Sequence, residues 1–536
     1  MEKIKSFLTR IEDSKINFGL WISTALGIIT IRIFQENVLL GFLRIEWLNF
    51  HYLISLSLFF LSLFLAIIVV LHLFSQEEII KVSKATLCFF WIILLPVIID
   101  CLVGIASGER IYHYSYVEEN LKGNFINFFN PLVKISGIPY GIRIEISLVT
   151  LLAFFYLFLK INRIFLSLIG ALVVFTTCFF YISFPGILVR VLKFLTSFIP
   201  IFKADYAIIS NHLVTDFADL VPRLIIIAML VLTLLVSAIW FWSYDRSKAL
   251  ALLRNLRISR SLHYMLWVIT GAVFNFAYFS GVAAAEFTLI KLLGALLAIF
   301  YAFQFSVVIN DIFDVDCDSI SSPDRPLVAG VFSKEEYLRV GMVYLAFALL
   351  FAFIVSNAAF RITLVFITLY FIYSAPPLKL KRFFILSSLV IAIQAILAFL
   401  LGVYIFLAHP ISQLGALTDI LGMIFWVFLL SSPVKDLKDI EGDRASGVYT
   451  LPVILGETKA RRIIGVLVCI SYLIVPFFLA RMLDFIFSFF LFFLSLVFGL
   501  FNYDYIKRND AKERVIFLSY FIYMFFVLIF LIVRIP

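Results

Sequence analysis

The chain has 536 residues, of which 63% are hydrophobic and only 14% are charged. A soluble domain usually carries charge on about a quarter of its residues, so this chain has too few charged side chains to cover the surfaces of a soluble protein of its length. The composition excludes an ordinary soluble enzyme, a disordered protein and a disulfide-rich secreted module. It predicts an all-α polytopic membrane protein, because apolar stretches of about 20 residues cross a bilayer as helices.

The net charge of +9 indicates basic loops on the cytoplasmic side of a membrane rather than a nucleic-acid partner. The five cysteines form no CxxC pair, and the six histidines are scattered along the chain. Neither a disulfide framework nor a zinc site is therefore expected. The lipid bilayer is the first partner that the sequence predicts.

Six apolar segments in the first half of the chain are long enough to span a bilayer and predict an N-terminal membrane domain over residues 1–243. They are residues 17–35, 50–75, 85–107, 144–160, 163–184 and 221–243. The apolar segment 186–202 also contains Arg190, Lys193 and Pro200. We expect it to be an interfacial helix, because a seventh span would move the basic segment 244–261 away from the cytoplasmic side.

The polar, basic segment 244–261 is predicted to be a cytoplasmic linker between two domains. Nine further spans are predicted in the second domain, residues 262–536. They are residues 262–282, 287–309, 337–357, 360–374, 383–408, 414–432, 462–481, 484–502 and 514–534.

The basic residues of the second domain are distributed unequally between the two ends of its predicted spans. The loops at one end carry most of the lysines and arginines, whereas those at the other end carry only Lys291, Arg361, Arg481 and Arg534. The positive-inside rule assigns the basic end to the cytoplasm. The basic N-terminus is expected on the same side, which agrees with six spans in the first half.

The first of two acidic loops at this cytoplasmic end contains Asp311, Asp314 and Asp318, preceded by Asn310. The aspartates are spaced by three and four residues, so on a continuous helix they would lie on one face. Asp316 would point away from that face. The spacing therefore predicts a stripe of three carboxylates at the membrane surface.

The second acidic loop repeats this spacing at Asp436, Asp439 and Asp443. Like charges one helical turn apart repel each other, so two such stripes predict bound cations. Oxygen ligands suit Mg²⁺, with Mn²⁺ as an alternative, and Mg²⁺ typically joins carboxylates to substrate phosphates. A solvated acidic loop without a metal is the other interpretation, which the repeated spacing disfavours.

A cationic loop at the same end follows Tyr373. It passes through two prolines, which end the preceding helix, to Lys379, Lys381 and Arg382. These cations are predicted to hold a diphosphate beside the metal, and anchoring at the positive side of the membrane is the alternative. The same two interpretations apply to Arg325.

Together these groups describe a site for a lipid diphosphate, with its head at the membrane surface and its tail among phenylalanine and leucine side chains. A metal ion stabilises the diphosphate as it leaves. The allylic carbon that remains is cation-like, and aromatic faces stabilise such a cation. Water must be excluded, because it would quench the cation before an acceptor attacks it.

Over about residues 250–536 the sequence resembles the UbiA superfamily of intramembrane prenyltransferases. The family's NDxxDxxxD motif, its second DxxDxxGD-like motif and its YSxPPxxLK loop each have a counterpart. These are Asn310, Asp311, Asp314 and Asp318; then Asp436, Asp439, Gly442 and Asp443; and the segment from Tyr373 to Lys381. The resemblance implies nine transmembrane helices around a central cavity that opens sideways to the lipid.

The resemblance also implies roles for individual residues. The six aspartates would bind Mg²⁺ and the diphosphate, and Asn310 would assist the first cluster. Tyr373 and Lys379 would contact the diphosphate or the reacting carbon. Family members often have an arginine near the first catalytic helix, for which Arg257 and Arg260 are candidates.

The first 243 residues contain no motif that we recognise, and they are the main departure from the family. They could bind a partner, shape a lipid path or carry a second activity. Asp100, near the end of a predicted span, is either a functional carboxylate or a solvated one.

The sequence thus predicts a Mg²⁺-dependent integral-membrane prenyltransferase with an additional N-terminal membrane domain. Its donor is an isoprenoid diphosphate, and its hydrophobic or aromatic acceptor is a quinone precursor, a glycerophosphate ether lipid or a tetrapyrrole. The rival hypothesis is a membrane transporter with the aspartates as cation sites, although transport sites usually lie near the middle of the bilayer. A non-catalytic scaffold is a further alternative, which the intact motifs disfavour.

Overall fold

The computed structural model describes residues 2–39, 50–107, 121–130, 133, 135, 138–199, 202–204, 206–207, 223–278, 289–405 and 414–533. Over these ranges the chain forms helices and no β-strand, with isolated bridges at Ile135–Ile138 and Phe383–Tyr449. The predicted all-α fold class is therefore confirmed.

The chain divides into two compact units, Met1–Ala249 and Leu250–Pro536. The division falls within the predicted linker, most of which is helical. Both acidic loops and the cationic loop belong to the second unit.

The described part of the first unit contains six segments that are long and apolar enough to span a membrane. Its helices are α1 Glu2–Glu12, α2 Phe18–Leu39, α3 Phe50–Ser75, α4 Ile79–Phe89, α5 Leu95–Ser107, α6 Leu121–Ile126, α7 Tyr140–Ile161, α8 Ile164–Phe198 and α9 Arg223–Tyr244, with a 3₁₀ helix Phe90–Leu94 between α4 and α5. Helix α10, Arg246–Arg254, contains the division between the units.

Helix α8 is a single helix of 35 residues that passes through Pro185. At 1.5 Å per residue it is about 52 Å long, longer than the roughly 30 Å hydrocarbon core of a bilayer. The predicted span 163–184 and most of the segment 186–202 are therefore one element, and the prediction of a separate interfacial helix is wrong. The sequence suggested a separate helix because Arg190, Lys193 and Pro200 interrupt the apolar pattern.

Asp100 is fully buried in the first unit. Its Oδ1 accepts a hydrogen bond of 2.7 Å from the backbone N–H of Gly141, in the first turn of α7. A Cβ atom at Gly141 would lie 2.4 Å from the carbonyl oxygen of Pro96, so α5 and α7 meet here without an intervening side chain. Asp100 thus closes the N-terminal end of α7, and the alternative that it is a solvated carboxylate is wrong.

The second unit contains eight further candidate spans among its described residues. Its helices are α11 Ile258–Tyr278, α12 Leu289–Phe313, α13 Val315–Ser321, α14 Lys334–Val355, α15 Asn357–Ser374, α16 Phe384–Val403, α17 Leu414–Ser431, α18 Ile440–Ala445, α19 Leu451–Leu455, α20 Glu457–Leu479, α21 Phe485–Ile506 and α22 Glu513–Val533, with 3₁₀ helices Leu380–Arg382 and Ser432–Lys438. The first of the nine predicted spans, 262–282, corresponds to α11, which is helical but is not among the candidate spans of the described residues; residues 279–282 lie outside the described residues.

Two glycines allow α11 and α16 to cross closely. A Cβ atom at Gly271 would lie 2.0 Å from the carbonyl oxygen of Phe399, and one at Gly402 would lie 2.0 Å from that of Val268. Small residues at such crossings let membrane helices pack backbone against backbone. The crossing fixes α11, whose N-terminal half contributes to the cavity described below.

Candidate active site

The first acidic motif is broken between two helices. Asp311 lies in the last turn of α12, which ends at Phe313. Asp314 is the N-cap residue of α13, with φ −118° and ψ 16°, and Asp318 lies within α13. The prediction that the three aspartates share one face of a continuous helix is therefore wrong.

The second acidic motif has the same arrangement. Asp436 lies in the 3₁₀ helix that follows α17, Asp439 is the N-cap residue of α18 with φ −110° and ψ 18°, and Asp443 lies within α18. In both motifs the backbone N–H of the last aspartate donates a hydrogen bond of 2.8 Å to the carbonyl oxygen of the middle one. The repeated spacing in the sequence thus encodes a repeated helix–junction–helix turn.

The two short helices α13 and α18 pack against each other. A Cβ atom at Gly442 would lie 2.8 Å from Sγ and 3.0 Å from the carbonyl oxygen of Cys317, so the absence of a side chain permits this contact. The cationic loop joins them through a backbone hydrogen bond of 3.0 Å from Tyr449 to the carbonyl oxygen of Arg382. Three segments that are far apart in the sequence therefore meet at one place.

Asp311 is almost completely buried and accepts hydrogen bonds from four side chains. Its Oδ2 accepts bonds from Asn255 (2.8 Å) and from the Tyr337 hydroxyl (2.9 Å). Its Oδ1 accepts bonds from Arg257 (2.6 Å) and Arg325 (3.1 Å). Two guanidinium groups thus neutralise this carboxylate, and it orients the arginines beside the site.

Asp314 and Asn310 are linked through lysines of the cationic loop. Asp314 forms ion pairs with Lys379, at 3.3 Å, and with Lys381. The Lys381 ammonium also donates to Oδ1 of Asn310 at 3.1 Å, and the Ser374 hydroxyl donates to the same oxygen at 3.3 Å. Lys381 therefore contacts both Asn310 and Asp314 of the first motif.

Arg325 connects Asp311 to Asp318, since its Nη1 pairs with both carboxylates. Burial raises the pKa of Asp318 to about 6, and the charges of Asp311 and Asp314 add to this effect while Arg325 opposes it. The positive charges of the neighbouring arginines and lysines therefore compensate the negative charge of the first motif only in part.

Lys435 is the cation that pairs with Asp436 of the second motif. Its ammonium lies 2.8 Å from Oδ1 of Asp436, and it donates to the Tyr373 hydroxyl at 3.1 Å and to the Ser387 hydroxyl at 2.9 Å. The same ammonium lies 5.7 Å from the centre of the Tyr373 ring, within the range of a cation–π interaction. Lys435 thereby links Asp436 of the second motif to Tyr373 through hydrogen bonds.

Asp439 and Asp443 differ from Asp311, Asp314, Asp318 and Asp436, because neither forms an ion pair within the described part of the chain. Burial raises the pKa of Asp443 to about 7, and the negative charges of Asp436 and Asp439 raise it further. Uncompensated negative charge is thus concentrated in the second motif, where a bound cation would relieve it.

Glu513, in the first turn of α22, links the second motif to α11. Its Oε1 accepts hydrogen bonds from Nη2 (2.8 Å) and Nε (3.1 Å) of Arg260, and its Oε2 lies 3.5 Å from the Lys438 ammonium. The carboxylate holds Arg260 beside the cavity. It also joins the C-terminal helix to the loop that carries Asp436 and Asp439.

Most of these groups border a cavity of about 250 Å³ in the second unit. The acidic lining residues are Asp314, Asp318, Asp436, Asp439, Asp443 and Glu513, and the basic ones are Arg257, Arg260, Arg325, Lys381 and Lys435. Other walls are aromatic and include Tyr264, Phe303, Tyr370, Phe428 and Tyr520. The cavity therefore combines a charged region with an apolar, aromatic one, as a substrate with a charged head and a hydrocarbon tail requires.

The donor set of the cavity fits a hard divalent cation. Within the described ranges, no three carboxylate, imidazole or thiol groups converge closely enough to form a metal cage by themselves. Mg²⁺ does not need such a cage, because it usually keeps several waters and is bound through one or two carboxylates plus substrate phosphates. The carboxylates without an ion pair, Asp439 and Asp443, supply oxygen ligands of this kind.

The predicted site residues fall into three groups in the structure. Those that line the cavity are Asn310, Asp314, Asp318, Arg325, Tyr373, Lys381, Asp436, Asp439 and Asp443. Asp311 and Lys379 contact lining residues without lining the cavity themselves. Arg382 is exposed and contributes its backbone carbonyl to the bond with Tyr449.

Five residues that the sequence did not identify complete the site: Asn255, Tyr337, Ser387, Lys435 and Glu513. Lys435 directly precedes Asp436, so a cation beside the second motif was visible in the sequence. Asn255 and Glu513 each lie near the start of a membrane helix among basic residues, which is a weak signal. Tyr337 and Ser387 have no sequence signal, because only the helix packing brings them to their partners.

The comparisons with known proteins concern the second unit. Residues 268–529 match the model of the UbiA prenyltransferase family. The digeranylgeranylglyceryl phosphate synthase of Thermococcus sibiricus is 31% identical over 178 residues, which are 33% of this chain and 61% of that protein. The synthase of the same name from Sulfolobus acidocaldarius is 33% identical over 176 residues, which are 32% of this chain and 61% of that protein.

Among solved structures, that of a UbiA homolog from Archaeoglobus fulgidus bound to GPP and Mg²⁺ is 23% identical, with a TM-score of 0.43. The match covers 53% of this chain and 99% of that one. The chain spans about half to three-fifths of the length of the curated relatives that it matches. The match to the family model makes residues 268–529 of this chain similar to the UbiA prenyltransferase family.

Proposed function

We propose that the chain is a membrane prenyltransferase that moves a prenyl group from an isoprenoid diphosphate to the hydroxyl group of a glycerophosphate lipid, with Mg²⁺ or Mn²⁺ at the acidic motifs. The observation that carries the proposal is the meeting of both acidic motifs and the cationic loop beside one aromatic cavity. The acceptor class is supported by the relatives from Thermococcus sibiricus and Sulfolobus acidocaldarius, both described as digeranylgeranylglyceryl phosphate synthases.

The charged region of the cavity would hold the diphosphate head. Asp439 and Asp443 are the first candidates to hold the metal, because no cation is paired with them among the described residues. Lys381 and Lys435 can transfer hydrogen bonds from Asp314 and Asp436 to phosphate oxygens, which frees those carboxylates. The metal, when bound, supplies positive charge that stabilises the diphosphate as it leaves with the electron pair of the broken carbon–oxygen bond.

The aromatic region would hold the prenyl chain. Tyr264, Phe303 and Phe428 are lining residues, and their ring faces attract the positive charge that develops on the allylic carbon. Apolar walls also keep water away from this carbon. The hydroxyl oxygen of the acceptor then forms the new carbon–oxygen bond, and the released diphosphate takes up the hydroxyl proton.

The phosphate of the acceptor requires a further cation near the donor. Arg260 lines the cavity on α11, and Glu513 holds its guanidinium at 2.8 Å. A guanidinium held in this way presents remaining N–H donors in a fixed orientation, which suits a phosphate. Arg260 is therefore our candidate for the acceptor phosphate.

We place the active-site loops on the cytoplasmic side, because the lysines and arginines of the second domain are concentrated at that end of its spans. A single cysteine at the exposed Ser319, in a chain without its other accessible cysteines, should be shielded from an impermeant thiol reagent in intact cells. Labelling of this cysteine in intact cells would show that the active-site loops face the outside.

The positions of the aspartates do not support the transporter hypothesis. Asp311 lies in the last turn of α12, and Asp436 follows the end of α17. Both carboxylates therefore lie at the ends of spans, whereas transport sites usually lie near the bilayer midplane on broken helices.

The decisive experiment uses the purified full chain with Mg²⁺, a radiolabelled prenyl diphosphate and a panel of acceptors. The panel contains a glycerophosphate ether lipid with a free hydroxyl, an aromatic acid and a tetrapyrrole acid. We expect a labelled ether product from the glycerophosphate lipid and release of diphosphate in equal amount. Transfer to another acceptor alone would reject the acceptor class, and no transfer to any acceptor would reject the proposed activity.

A further inference from the structure

The first unit contains a cavity of its own, of about 270 Å³, whose lining residues all belong to that unit. Protein interiors are otherwise closely packed, so an apolar cavity of this size offers room for a ligand. Most of its walls are apolar, and Phe59, Phe60 and Phe64 of α3 are among them. The cavity takes no part in the chemistry proposed for the second unit.

We call this cavity the slot, because its lining residues extend along two helices. Its lining residues on α3 run from Leu56 to Leu71 at intervals of three and four residues, and those on α7 run from Ile142 to Leu159. At 1.5 Å per residue these stretches are about 22 Å and about 25 Å long. A narrow apolar slot of this length fits a single extended hydrocarbon chain.

Three ionisable side chains line this otherwise apolar slot. Arg32 and Glu36, one turn apart on α2, form an ion pair at 3.4 Å, and both side chains are at least nine-tenths buried. Glu145, on α7, lines the cavity and lies within electrostatic range of Arg32. No hydrogen bond or ion pair to the Glu145 carboxylate is found in the described part of the chain.

The charges of Arg32, Glu36 and Glu145 determine which lipid head group the slot would accept. Ionisable residues inside a membrane domain are costly and usually functional. Two carboxylates and one guanidinium repel an anionic head such as a phosphate, a diphosphate or a sulfate. A hydroxyl group matches both signs of charge, because it can donate to the Glu145 carboxylate while it accepts from the Arg32 guanidinium.

We propose that the slot of the first unit binds a single-chain lipid with an uncharged hydroxyl head, held by Glu145 and Arg32. The hydrocarbon chain lies along α3 and α7. This proposal rests on the geometry of the first unit and is independent of the function proposed for the second.

The test uses the purified full chain and a long-chain primary alcohol that carries a photoreactive diazirine and a radiolabel. Unlabelled competitors of the same chain length differ only in the head: an alcohol, an amine and a sulfate that stays charged at every pH used. We expect the alcohol to compete about tenfold better than the sulfate, which corresponds to about 1.4 kcal/mol. Peptide mapping should place the crosslink on α3 or α7.

Two adjacent residues of α7 provide a matched pair of variants. Leu152 lines the slot, whereas Leu151 is 49% exposed on the surface of the same helix. Leu152→Trp should fill the slot and abolish labelling, and Leu151→Trp should label like the wild type. Glu145→Leu should weaken binding of the alcohol, whereas Glu145→Gln, which keeps a hydrogen-bond acceptor, should weaken it less.

Equal labelling of the Leu151→Trp and Leu152→Trp chains would overturn the assignment to this slot. Equal or better competition by the sulfate or the amine would overturn the assignment of the head. If Leu152→Trp does not give a monodisperse protein, the competition series and the crosslink position in the wild-type chain decide the question.

Discussion

Gly442 of the second acidic motif lies against Cys317 of the first, so closely that a Cβ atom at position 442 would come within 2.8 Å of the Cys317 sulfur. Cys317 and Gly442 directly precede Asp318 and Asp443. The distance between the two motifs, and so the width of the proposed diphosphate site, therefore depends on a residue without a side chain.

Gly442→Ala should push α18 away from α13 and lower kcat for prenyl transfer by about tenfold or more, with a loss of about 1–3 kcal/mol in stability from the added methyl group. Steady-state kinetics and thermal unfolding measure the two effects. Adding Cys317→Ala should restore part of the activity, because it removes the sulfur but leaves the carbonyl oxygen at 3.0 Å.

Gly415→Ala is the matched control, since no atom of the described residues lies within 4 Å of a Cβ atom at that position. It should leave kcat unchanged. A Gly442→Ala chain with wild-type kcat would show that the contact between the motifs does not set the site geometry.

Asp314→Asn and Asp439→Asn test the two equivalent N-cap aspartates. Each should lower kcat by about 10²-fold or more, the loss typical of a group that supports developing charge, while the protein still inserts into membranes. Asp316→Asn is the control, because Asp316 lies in the same motif but is exposed. Near-normal turnover by either variant would remove that aspartate from the site.

Removal of divalent metal with excess EDTA should abolish turnover, and addition of Mg²⁺ or Mn²⁺ should restore it. The physical reason is that the acidic motifs and an anionic diphosphate cannot occupy one cavity without positive charge between them. The helical circular dichroism should not change, because lysine and arginine pairs already stabilise Asp311, Asp314 and Asp436 without metal. Full turnover in EDTA would end the metal-dependent mechanism.

Two N-terminal truncations should differ sharply in activity. A chain that starts at residue 245 keeps Asn255, Arg257 and Arg260, which contact Asp311 and Glu513. A chain that starts at residue 262, the predicted domain start, loses all three. We expect metal-dependent transfer from the first chain and none from the second, measured with the acceptor panel in detergent.

Expression and monodispersity of both truncated chains are the controls for this comparison. If the chain from residue 245 is monodisperse and binds the prenyl diphosphate but transfers nothing, the first unit supplies part of the active site. Transfer by the chain from residue 262 would show that Asn255, Arg257 and Arg260 are dispensable.

The class of the protein and the chemistry proposed for its second unit were readable from local sequence. Membrane insertion depends on the composition of segments of about 20 residues, which is a one-dimensional property. The acidic motifs and the cationic loop are also local patterns, so Asp314, Asp439 and Lys381 are identifiable as candidate site residues from their sequence neighbours alone. The match of residues 268–529 to the UbiA family agrees with that interpretation.

Only the tertiary structure decided which groups meet. A spacing of three and four residues fits a continuous helix as well as a broken one, so the junctions at Asp314 and Asp439 could not be predicted from it. Likewise, the partners of Asp311 come from positions 255, 257, 325 and 337, and nothing in the spacing of those residues indicates that they share one carboxylate. These contacts depend on close helix packing, such as that of Gly271 against Phe399 and of Gly442 against Cys317, and packing between distant segments leaves no periodic signal in the sequence.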